Sequence, residues 1–468
     1  MTTLTNFAET VNVSRKTAIA AEADVLVVGG GPAGIGAAIA AARKGARTVL
    51  VERYGFLGGN ATASLVGPFM TSFSDDGQTQ LIKGVFDELV RRMERLDGAV
   101  HPEKVRNLTA YAGYRKHGHD HVTPFDPEVM KLVAMEMMEE AGVRLFLHTF
   151  LVDAIREGDR VAGVLIASKS GLQAIRANVV VDCSADGDVA YRAGVPMKTG
   201  RASDGLTQPM TLFFRMANID DDAVDAYRAE HPEEGERLFA GIIDRKRESG
   251  EWTVARDKVA MYKTPQDGVW RFNITRIQQL DGTSVEDLTR AELDGRRQVF
   301  QLVRFFRDCL PGFERAILID TAAQVGVRET RRITGEYELT LDDLIAPTAF
   351  PDVIALCGYP VDIHSPTGAG GGCTDEFPTA NAYEIPYRSL VPVGLDNLLV
   401  AGRCISATHE ALSAVRVMPP CFAMGQAAGV AAALCAERGT APRRVDVNEL
   451  QSELLKQNAY LGARFAAV

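Results

Sequence analysis

The chain of 468 residues contains only seven cysteines, and no two of them form a C-x-x-C pair. An odd number of scattered cysteines argues against a disulfide framework and against a thiolate zinc site, and it favours reduced thiols in a cytoplasmic protein. The chain also lacks a long basic run, and its net charge is −10. A nucleic-acid partner is therefore not expected.

The chain lacks internal repeats, and we find no apolar run that predicts a membrane span. Residues 1–20 contain no apolar signal-type segment and are interpreted as an N-terminal arm. The one low-complexity segment is GAGGG at 368–372, which favours a linker over a mobile loop beside an active site. With 46% hydrophobic and 24% charged residues, the composition is that of a globular protein with two or three domains.

The strongest motif combines a strand, a glycine turn, a helix, a second strand and an acid within residues 25–52. The apolar run 25–28 is typical of a buried parallel strand, and the Ala-rich segment 37–43 favours a helix. Between them, Gly29, Gly31 and Gly34 have the spacing G-x-G-x-x-G. Glu52 closes the second apolar run, 48–51. This order predicts a dinucleotide-binding unit.

Each residue of the motif has a physical role in such a unit. Gly29 allows the tight turn, Gly31 lets the backbone approach a pyrophosphate, and Gly34 lets the helix pack close to the strand. The helix begins near Pro32 and Ala33, where free N–H groups favour phosphate. Glu52 is expected to accept hydrogen bonds from ribose hydroxyls.

Three further segments extend the pattern: RYGFLGGNAT at 53–62, VVVDCSADGD at 179–188, and NLLVAGRCISATHEALSAVRVMPPCFAMGQAAG at 397–429. With YEIPYRSLVP at 383–392 and VGVRETRRITGEY at 325–337, they resemble a bacterial family of FAD-dependent oxidoreductases related to the fumarate reductase and succinate dehydrogenase flavoproteins. The resemblance covers residues 23–436 and implies non-covalent FAD, because the GGNAT segment lacks the flavin-linking histidine of succinate dehydrogenases. Cys404 is the one candidate for a covalent link, and we do not expect it to form one.

The motif and the resemblance together predict the FAD contacts. These are Gly29, Gly31, Pro32, Ala33, Gly34, Glu52, Arg53, Gly58, Gly59, Asn60, Thr62, Val152, Ala185, Asp186, Gly402, Arg403 and Gly425. No second G-x-G-x-x-G unit follows, which argues against the disulfide reductases that bind NAD(P)H in a separate domain.

The predicted fold class is α/β: a Rossmann-like, glutathione-reductase-like FAD-binding domain with a doubly wound parallel sheet, and an inserted α+β substrate domain. The FAD-binding domain is expected at 21–198 and 379–440, with a cap insertion at about 68–122. The substrate domain is expected at 199–378, and a C-terminal extension at 441–468.

Candidate catalytic residues lie late in the chain. The resemblance places His409 and Arg416 in a loop facing the substrate, although Arg416 is displaced from its usual position and alternatively pairs with Glu410. His364 follows Asp362 in a loop between prolines, as expected of a general base oriented by an acid, or of a solvated surface histidine. Tyr387 and Arg388 are candidates for substrate positioning or are ordinary structural residues. A helix starting after Pro419 and Pro420, at Cys421, is expected to direct its N-terminus at the flavin.

Two other clusters need interpretation. Arg328, Arg331 and Arg332 are expected to form a structural ion-pair network, with an anion site as the alternative. His101, His117, His119 and His121 have no thiolate nearby, so we expect an active-site cap loop and no metal.

The resemblance implies an enzyme that moves a hydride between a small polar metabolite and flavin N5, as a dehydrogenase or oxidase. A flavin monooxygenase and a non-catalytic FAD-binding subunit remain alternatives. The substrate, the electron acceptor, the direction of reaction and the choice between monomer and homo-oligomer stay open.

Overall fold

The computed structural model describes residues 14, 16–256, 258–373 and 377–465. The strands in these residues are β1 (Ala18–Val28), β2 (Thr48–Val51), β3 (Arg144–Phe146), β4 (Phe150–Glu157), β5 (Arg160–Ser168), β6 (Gly171–Asp182), β7 (Met197–Thr199), β8 (Phe214–Ala217), β9 (Met261–Lys263), β10 (Trp270–Phe272), β11 (Ile317–Thr321), β12 (Arg331–Ile333), β13 (Val353–Cys357), β14 (Asp362–His364), β15 (Gly371–Cys373), β16 (Tyr383–Pro386) and β17 (Leu398–Val400). The helices are α1 (Pro32–Arg43), α2 (Val85–Glu94), α3 (Pro127–Glu140), α4 (Asp188–Arg192), α5 (Asp221–Glu230), α6 (Ala240–Glu248), α7 (Val285–Cys309), α8 (Leu341–Ile345), α9 (His409–Val415), α10 (Met418–Arg438) and α11 (Val447–Lys456).

The largest sheet has the order β3-β2-β1-β6-β5-β4, with β17 paired to the end of β6. Strands β3, β2, β1, β6 and β17 run parallel, whereas β4 and β5 form antiparallel pairs. The four residues of β2 are all buried, as a parallel strand covered on both faces requires. The predicted α/β class with a parallel sheet is confirmed.

Strand β1 is longer than the apolar run that predicted it. It begins at Ala18, so residues 18–20 of the predicted arm belong to the sheet, where they pair with β6. Their side chains are partly or fully exposed, which is why the hydrophobic pattern did not mark them as strand. Residues 1–13 and 15 of that predicted arm lie outside the described residues.

Helices α1 and α10 pack against each other through small residues. A Cβ atom on Gly425 would lie 2.0 Å from the Ala33 carbonyl oxygen, and one on Gly429 would lie 2.1 Å from that of Ala37. By length and apolar composition α10 would be able to cross a membrane, contrary to the expectation from sequence. However, 94% of its most apolar window is buried inside the protein, as in a core helix.

A second sheet, of order β11-β8-β10-β9, packs with α5, α6 and α7 around its own apolar core. This core draws on residues 210–327, together with Leu65 and Tyr114. Residues from Leu339 to Val361 instead pack in the core beneath the parallel sheet. The two cores therefore separate near residue 327, and not at the predicted boundary of 378.

Residues of the predicted cap insertion, 68–122, pack in both apolar cores. The apolar face of α2 joins the core of the parallel sheet, because its buried residues Phe86 and Leu89 pack in that cluster. Chain segments after α2 reach the second core through Tyr114, whose hydroxyl donates to Asp225 at 2.7 Å. Helix α11, in the predicted C-terminal extension, packs on the first core through Leu450 and Leu454.

Candidate active site

A groove opens at the carboxyl ends of the parallel strands, where ligands of open α/β sheets bind. Many of the predicted cofactor residues line it: Gly29, Gly31, Pro32, Ala33, Glu52, Arg53, Gly59, Asn60, Ala185, Asp186, Gly402 and Arg403. Gly29 has a φ of +101°, which favours glycine, and its N–H donates to the Val51 carbonyl at 2.8 Å. A Cβ on Gly31 would meet only the Gly59 Cα, at 3.8 Å, so the groove is open above this residue.

Glu52 lies buried in the groove. Its Oε2 accepts a hydrogen bond from the Gly30 N–H at 2.7 Å, and its Oε1 accepts one from the Tyr54 N–H at 2.9 Å. Burial raises the pKa of this carboxyl, although both backbone donors oppose the shift. The acid therefore ties the glycine turn to the end of β2, and its remaining lone pairs are left for a ligand.

Other predicted cofactor residues support the groove without lining it. A Cβ on Gly34 would lie 1.8 Å from the Gly29 carbonyl oxygen, so Gly34 permits the contact of helix and turn. Gly58 has a φ of +114° and donates to the Gly30 carbonyl, and the Thr62 hydroxyl donates to Leu57 O at 2.7 Å. Gly425 packs on α1. Val152 is absent from the lining, which its neighbours Phe150 and Leu151 form instead.

Sequence reasoning missed the groove residues that come from distant segments. Gln324 lines the groove, and its Oε1 contacts both the Arg53 guanidinium and the Tyr54 hydroxyl. Other unpredicted lining residues are Thr149, Cys183, Gly282, Leu288, Glu292 and Val325. Cys183 and Val325 lie within the segments 179–188 and 325–337. The other four lie in no recognised motif, so only the tertiary structure brings them to the groove.

A second cavity adjoins the groove, and five residues line both: Asn60, Val327, Arg403, Arg416 and Met418. Val417 is the N-cap of α10 and Met418 its first residue, with Pro419 and Pro420 in the first turn. The helix thus begins at the junction of the two spaces, three residues before the predicted start at Cys421. Its N-terminal N–H groups favour negative charge there.

The second cavity is rich in positive charge. Six arginine or lysine residues line it against two acids, Glu236 and Asp362; the cations are Arg115, Arg256, Lys258, Arg328, Arg403 and Arg416. Arg115 Nε and NH2, Arg403 NH1 and Arg416 Nε are buried with no hydrogen-bond partner among the described residues. Burial and the positive charge of Arg416 lower the pKa of Arg328 well below its usual range. An anion in this cavity would relieve these costs.

Asp362 and His364 line the same cavity from a strand, β14, which pairs with β15. His364 Nε2 lies 3.4 Å from Asp362 Oδ1. Arg416 NH2 donates to the Asp362 carbonyl at 3.0 Å and approaches its Oδ2 at 3.3 Å. Arg416 therefore pairs with Asp362, and not with its sequence neighbour Glu410.

The glycine segment beside these residues is part of the cavity wall. Gly371 and Gly372 line the cavity as residues of β15, with φ of +130° and +134°. A Cβ on Gly371 would lie 2.5 Å from the His364 Cα. The preferred interpretation of 368–372 as a linker is wrong, because these glycines let two strands meet closely beside the cavity.

A family profile described as FAD dependent oxidoreductase matches residues 24–454. The chain belongs to this family. The motif, the groove and the family agree on FAD as the cofactor, and the oxidoreductase is an enzyme of the Rossmann-like class predicted from sequence.

Individual relatives match less of the oxidoreductase. It is 34% identical over 143 residues to the thiamine thiazole synthase of Aeropyrum pernix. The match covers 31% of this chain and 43% of that protein. It is 26% identical over 208 residues to the digeranylgeranylglycerophospholipid reductase of Picrophilus torridus, 42% of this chain and 48% of that one. The chain spans less than half the length of these two relatives.

Among solved structures, the oxidoreductase is similar to a geranylgeranyl bacteriochlorophyll reductase-like protein from Thermoplasma acidophilum. The TM-score is 0.47 at 16% identity, covering 94% of this chain and 84% of that chain. It is also similar to a p-nitrophenol 4-monooxygenase from Pseudomonas putida, with a TM-score of 0.46 at 11% identity, covering 93% and 85%. None of these four proteins is a fumarate reductase or a succinate dehydrogenase flavoprotein.

The groove fits FAD by its own chemistry. Gly31 leaves room for a diphosphate, and Glu52 supplies acceptors for ribose hydroxyls. The buried Arg403 NH1, where the groove meets the cavity, has no hydrogen-bond partner within the residues that the structure describes. Bound there, the flavin supplies a two-electron hydride donor or acceptor. Cys404 lines neither space and packs in a core cluster, so it is not placed to form a covalent link.

Two predicted catalytic residues lie outside the cavity lining. His409 is the first residue of α9, not a loop residue, and its Nδ1 lies 2.9 Å from Glu329 Oε1. Tyr387 is buried, and its hydroxyl donates to the Pro442 carbonyl at 3.0 Å. The His409 side chain lines neither the groove nor the cavity, because a buried carboxylate binds its imidazole, and its predicted place facing the substrate stays a prediction.

His409 still connects to the cavity through two intermediaries, Glu329 and Gln208. Glu329, which it contacts, also accepts from the Gln208 N–H at 3.1 Å. Gln208 Oε1 in turn accepts from the His364 N–H and from Arg416 NH2, both at 3.2 Å. This network links His409 to His364 and Arg416, which do line the cavity.

The three arginines of the cluster at 328–332 do not share one role: two form structural ion pairs, and the third lines the cavity as an anion site would require. Arg332 pairs with Glu329, and Arg331 pairs with Asp188, as a structural network would. Arg328 instead lines the cavity, where it donates to Pro209 O and Thr211 Oγ1, and no carboxylate in the described part of the chain pairs with it.

The histidine-rich loop caps the cavity in part. His117 and His119 line it, and His119 Nε2 lies 3.2 Å from the Tyr262 hydroxyl. Burial and the charge of Arg115 lower the pKa of His119 to about 4. His101 and His121 do not line the cavity; His101 contacts Asp87 at 3.2 Å. In the described ranges no His, Cys, Asp and Glu side chains form a metal-binding group.

Proposed function

We propose that the oxidoreductase moves a hydride between bound FAD and a small metabolite that carries at least one acid group. The cation-lined cavity that shares Arg403, Arg416 and Met418 with the FAD groove carries this proposal. A substrate there would lie beside the cofactor groove, with buried guanidinium donors available for a carboxylate or phosphate.

Several finer points belong to the same proposal. We take the enzyme to be a dehydrogenase or oxidase that passes electrons to a second, unidentified acceptor. Its seven cysteines are free thiols, which suits a reducing cytoplasm. A closer relation to the fumarate reductase and succinate dehydrogenase flavoproteins remains a proposal too, and so does assembly into a homo-oligomer.

The test is an anaerobic screen that follows the flavin absorbance of the holoenzyme. Carboxylate and phosphate metabolites are compared with matched amides, esters or alcohols of the same carbon skeleton. We expect acidic compounds alone to reduce the flavin. Reduction by neutral compounds only would contradict the proposed substrate class.

Arg115→Gln removes one cation of the cavity. We expect it to raise KM for the acidic substrate by on the order of 10- to 100-fold, because charged hydrogen bonds contribute about 1.5–3 kcal/mol. Arg438→Gln, which alters a surface pair with Glu449, is the matched control.

A product that gains oxygen, formed only in air, would establish the monooxygenase alternative instead. Persistent failure of every compound class to reduce the flavin would favour a non-catalytic subunit.

A further inference from the structure

His364 has one ring nitrogen facing an acid and one with no partner. Its Nε2 lies 3.4 Å from Asp362 Oδ1, whereas its Nδ1 is buried without a hydrogen-bond partner among the described residues. A neutral imidazole beside a carboxylate carries its proton on the nitrogen that faces the carboxylate. This arrangement leaves Nδ1 as a bare acceptor on a side chain that lines the cationic cavity.

The imidazole is held neutral by its surroundings. Burial, followed by the positive charge of Arg328, lowers the pKa of His364 to about 3, against the opposing effect of Asp362. Asp362 itself stays ionised: burial would raise its pKa, but the hydrogen bond from the neutral His364 ring and the positive charge of Arg416 hold that pKa well below its usual range. The pair is therefore a carboxylate and a neutral ring, as a proton acceptor requires before reaction.

Asp362 is fixed from several directions. Arg416 donates to the Asp362 carbonyl and approaches the Asp362 carboxylate. The Asp362 N–H donates to Ser413 Oγ at 3.2 Å, and the Tyr359 hydroxyl donates to Asp362 Oδ2 at 3.3 Å. Arg416 also lines the FAD groove. The acid that orients His364 is thus linked to the cofactor side of the site by one side chain.

We propose that His364 is the catalytic proton acceptor of this oxidoreductase and that Asp362 is a positioning residue, which fixes the ring with Nδ1 free for the substrate. FAD held in the groove beside Gly31, Glu52 and Arg403 would supply the two-electron acceptor, so that oxidation of an alcohol or amine carbon would break its C–H bond and pass the hydride to that acceptor. The O–H or N–H bond breaks as C=O or C=N forms, and that proton goes to Nδ1. The proton then leaves to solvent.

The acidic group of the substrate makes this acceptor effective. Arg328 and Arg256 are among the charges that lower the pKa of the ring, and a bound anion would offset them, so that the ring becomes more basic once the substrate is present. This step rests on the proposed function. The tautomer of the His364 ring does not depend on the proposed function, and the tautomer is therefore tested first.

The first test is NMR of holoenzyme labelled with ¹⁵N-histidine. The chain has eight histidines, and His364→Gln identifies the resonance of His364 by its loss. We expect a neutral ring protonated at Nε2 from pH 5 to pH 8, and a mixture of tautomers in Asp362→Asn. Asp87→Asn, which changes the acid beside the buried His101, is the matched control and leaves the His364 signal unchanged. A charged ring at pH 7, or protonation at Nδ1 in the wild type, would overturn the proposal.

The second test is the rate of flavin reduction by the acidic substrate found in the screen. His364→Gln and His364→Asn should slow reduction by about 10²- to 10⁴-fold, the usual effect of losing an acid–base group, while FAD content is retained. His101→Gln should react normally. Normal reduction in both His364 variants would overturn the proposal and leave the proposed oxidoreductase function intact. If no substrate is found, the NMR result still decides the state of the ring.

Discussion

At the scale of single residues, the contacts of a buried acid decide its role in the groove or the cavity. Glu52 and Asp362 are both acids near a glycine-rich turn or strand, yet one binds backbone N–H groups and the other faces an imidazole and a guanidinium. The two backbone bonds of Glu52 keep it at the end of β2, where it lines the groove. Its role in holding FAD can be tested without knowing the substrate.

Glu52→Ala should weaken FAD binding by on the order of 10- to 100-fold, because a ribose loses a charged acceptor worth about 1.5–3 kcal/mol. The dissociation constant of FAD, measured by fluorescence quenching during reconstitution of the apoprotein, checks this. Glu88→Ala removes an acid of the same type from a surface pair with Arg43 and serves as the control. Equal FAD affinity in the two variants would count against the assignment of Glu52.

His364 also makes stability depend on pH. The folded-state pKa is about 3, whereas a histidine in the unfolded chain titrates near 6.5. Between these values the unfolded state binds more protons, so this contribution to stability is full above pH 6.5 and is lost as the pH falls. Each pH unit in that window costs up to about 1.4 kcal/mol.

His364→Gln lacks this titration. Its free energy of unfolding should therefore fall less steeply than that of the wild type between pH 6.5 and pH 4.5, as measured by urea denaturation at several pH values. Parallel pH dependences for the two proteins would show that the ring is not held neutral in the fold.

At the scale of elements, the contact of α1 with α10 requires glycine. A Cβ on Gly429 would lie 2.1 Å from the Ala37 carbonyl oxygen, far inside van der Waals distance and against backbone that has no flexible end to move. Gly429→Ala must separate the helices, and overpacking of this kind costs about 1–3 kcal/mol. Because α1 opens the FAD groove, we expect the variant to lose both thermal stability and cofactor.

Gly241→Ala, in α6, is the matched control. Its new Cβ would meet only side-chain ends, with Glu234 Oε1 nearest at 3.1 Å, and alanine favours a helix by up to about 1 kcal/mol over glycine. We expect its melting temperature to equal or exceed that of the wild type. A Gly429→Ala variant as stable as this control would contradict the close helix contact.

At the scale of the whole molecule, two cores meet around one continuous space. The first core holds the parallel sheet and the FAD groove, and the second holds the sheet around β8. The cavity between them takes Arg115 from the region after α2, Arg328 from the segment before β12 and Arg416 from the end of α9. No single segment contains the site, so its charge arises only in the assembled chain.

The assembled protein should be yellow and hold FAD without a covalent bond. Its cysteine closest in sequence to the groove motif Gly402-Arg403, Cys404, is buried in a core cluster outside both spaces. Denaturation by acid or heat should release all the flavin into the supernatant, measured by its absorbance and chromatographic mobility. Flavin that stays with the precipitated protein would establish a covalent link.

The sequence by itself determined the cofactor and the parallel sheet. Local signals suffice there, because the glycine turn, the buried strand and the acid of a dinucleotide site occur within 25–52. Much of the predicted FAD set lines the groove for the same reason. The sequence also predicts helices over 127–141 and 284–308, and α3 and α7 begin and end within one residue of these bounds, since hydrophobic periodicity and caps are local signals.

Only the tertiary structure decided which side chains face the substrate cavity. His409 has a favourable position in sequence, but its ring binds Glu329, eighty residues earlier, and does not line the cavity. Asp362 and His364 are brought to the wall by a hairpin whose glycines resemble a linker in sequence. Hydrogen bonds and ion pairs between distant segments leave no periodic pattern in the chain. The orientation of these side chains therefore depends on neighbours in the folded protein, whose hydrogen bonds and charges offset the desolvation cost of burying them.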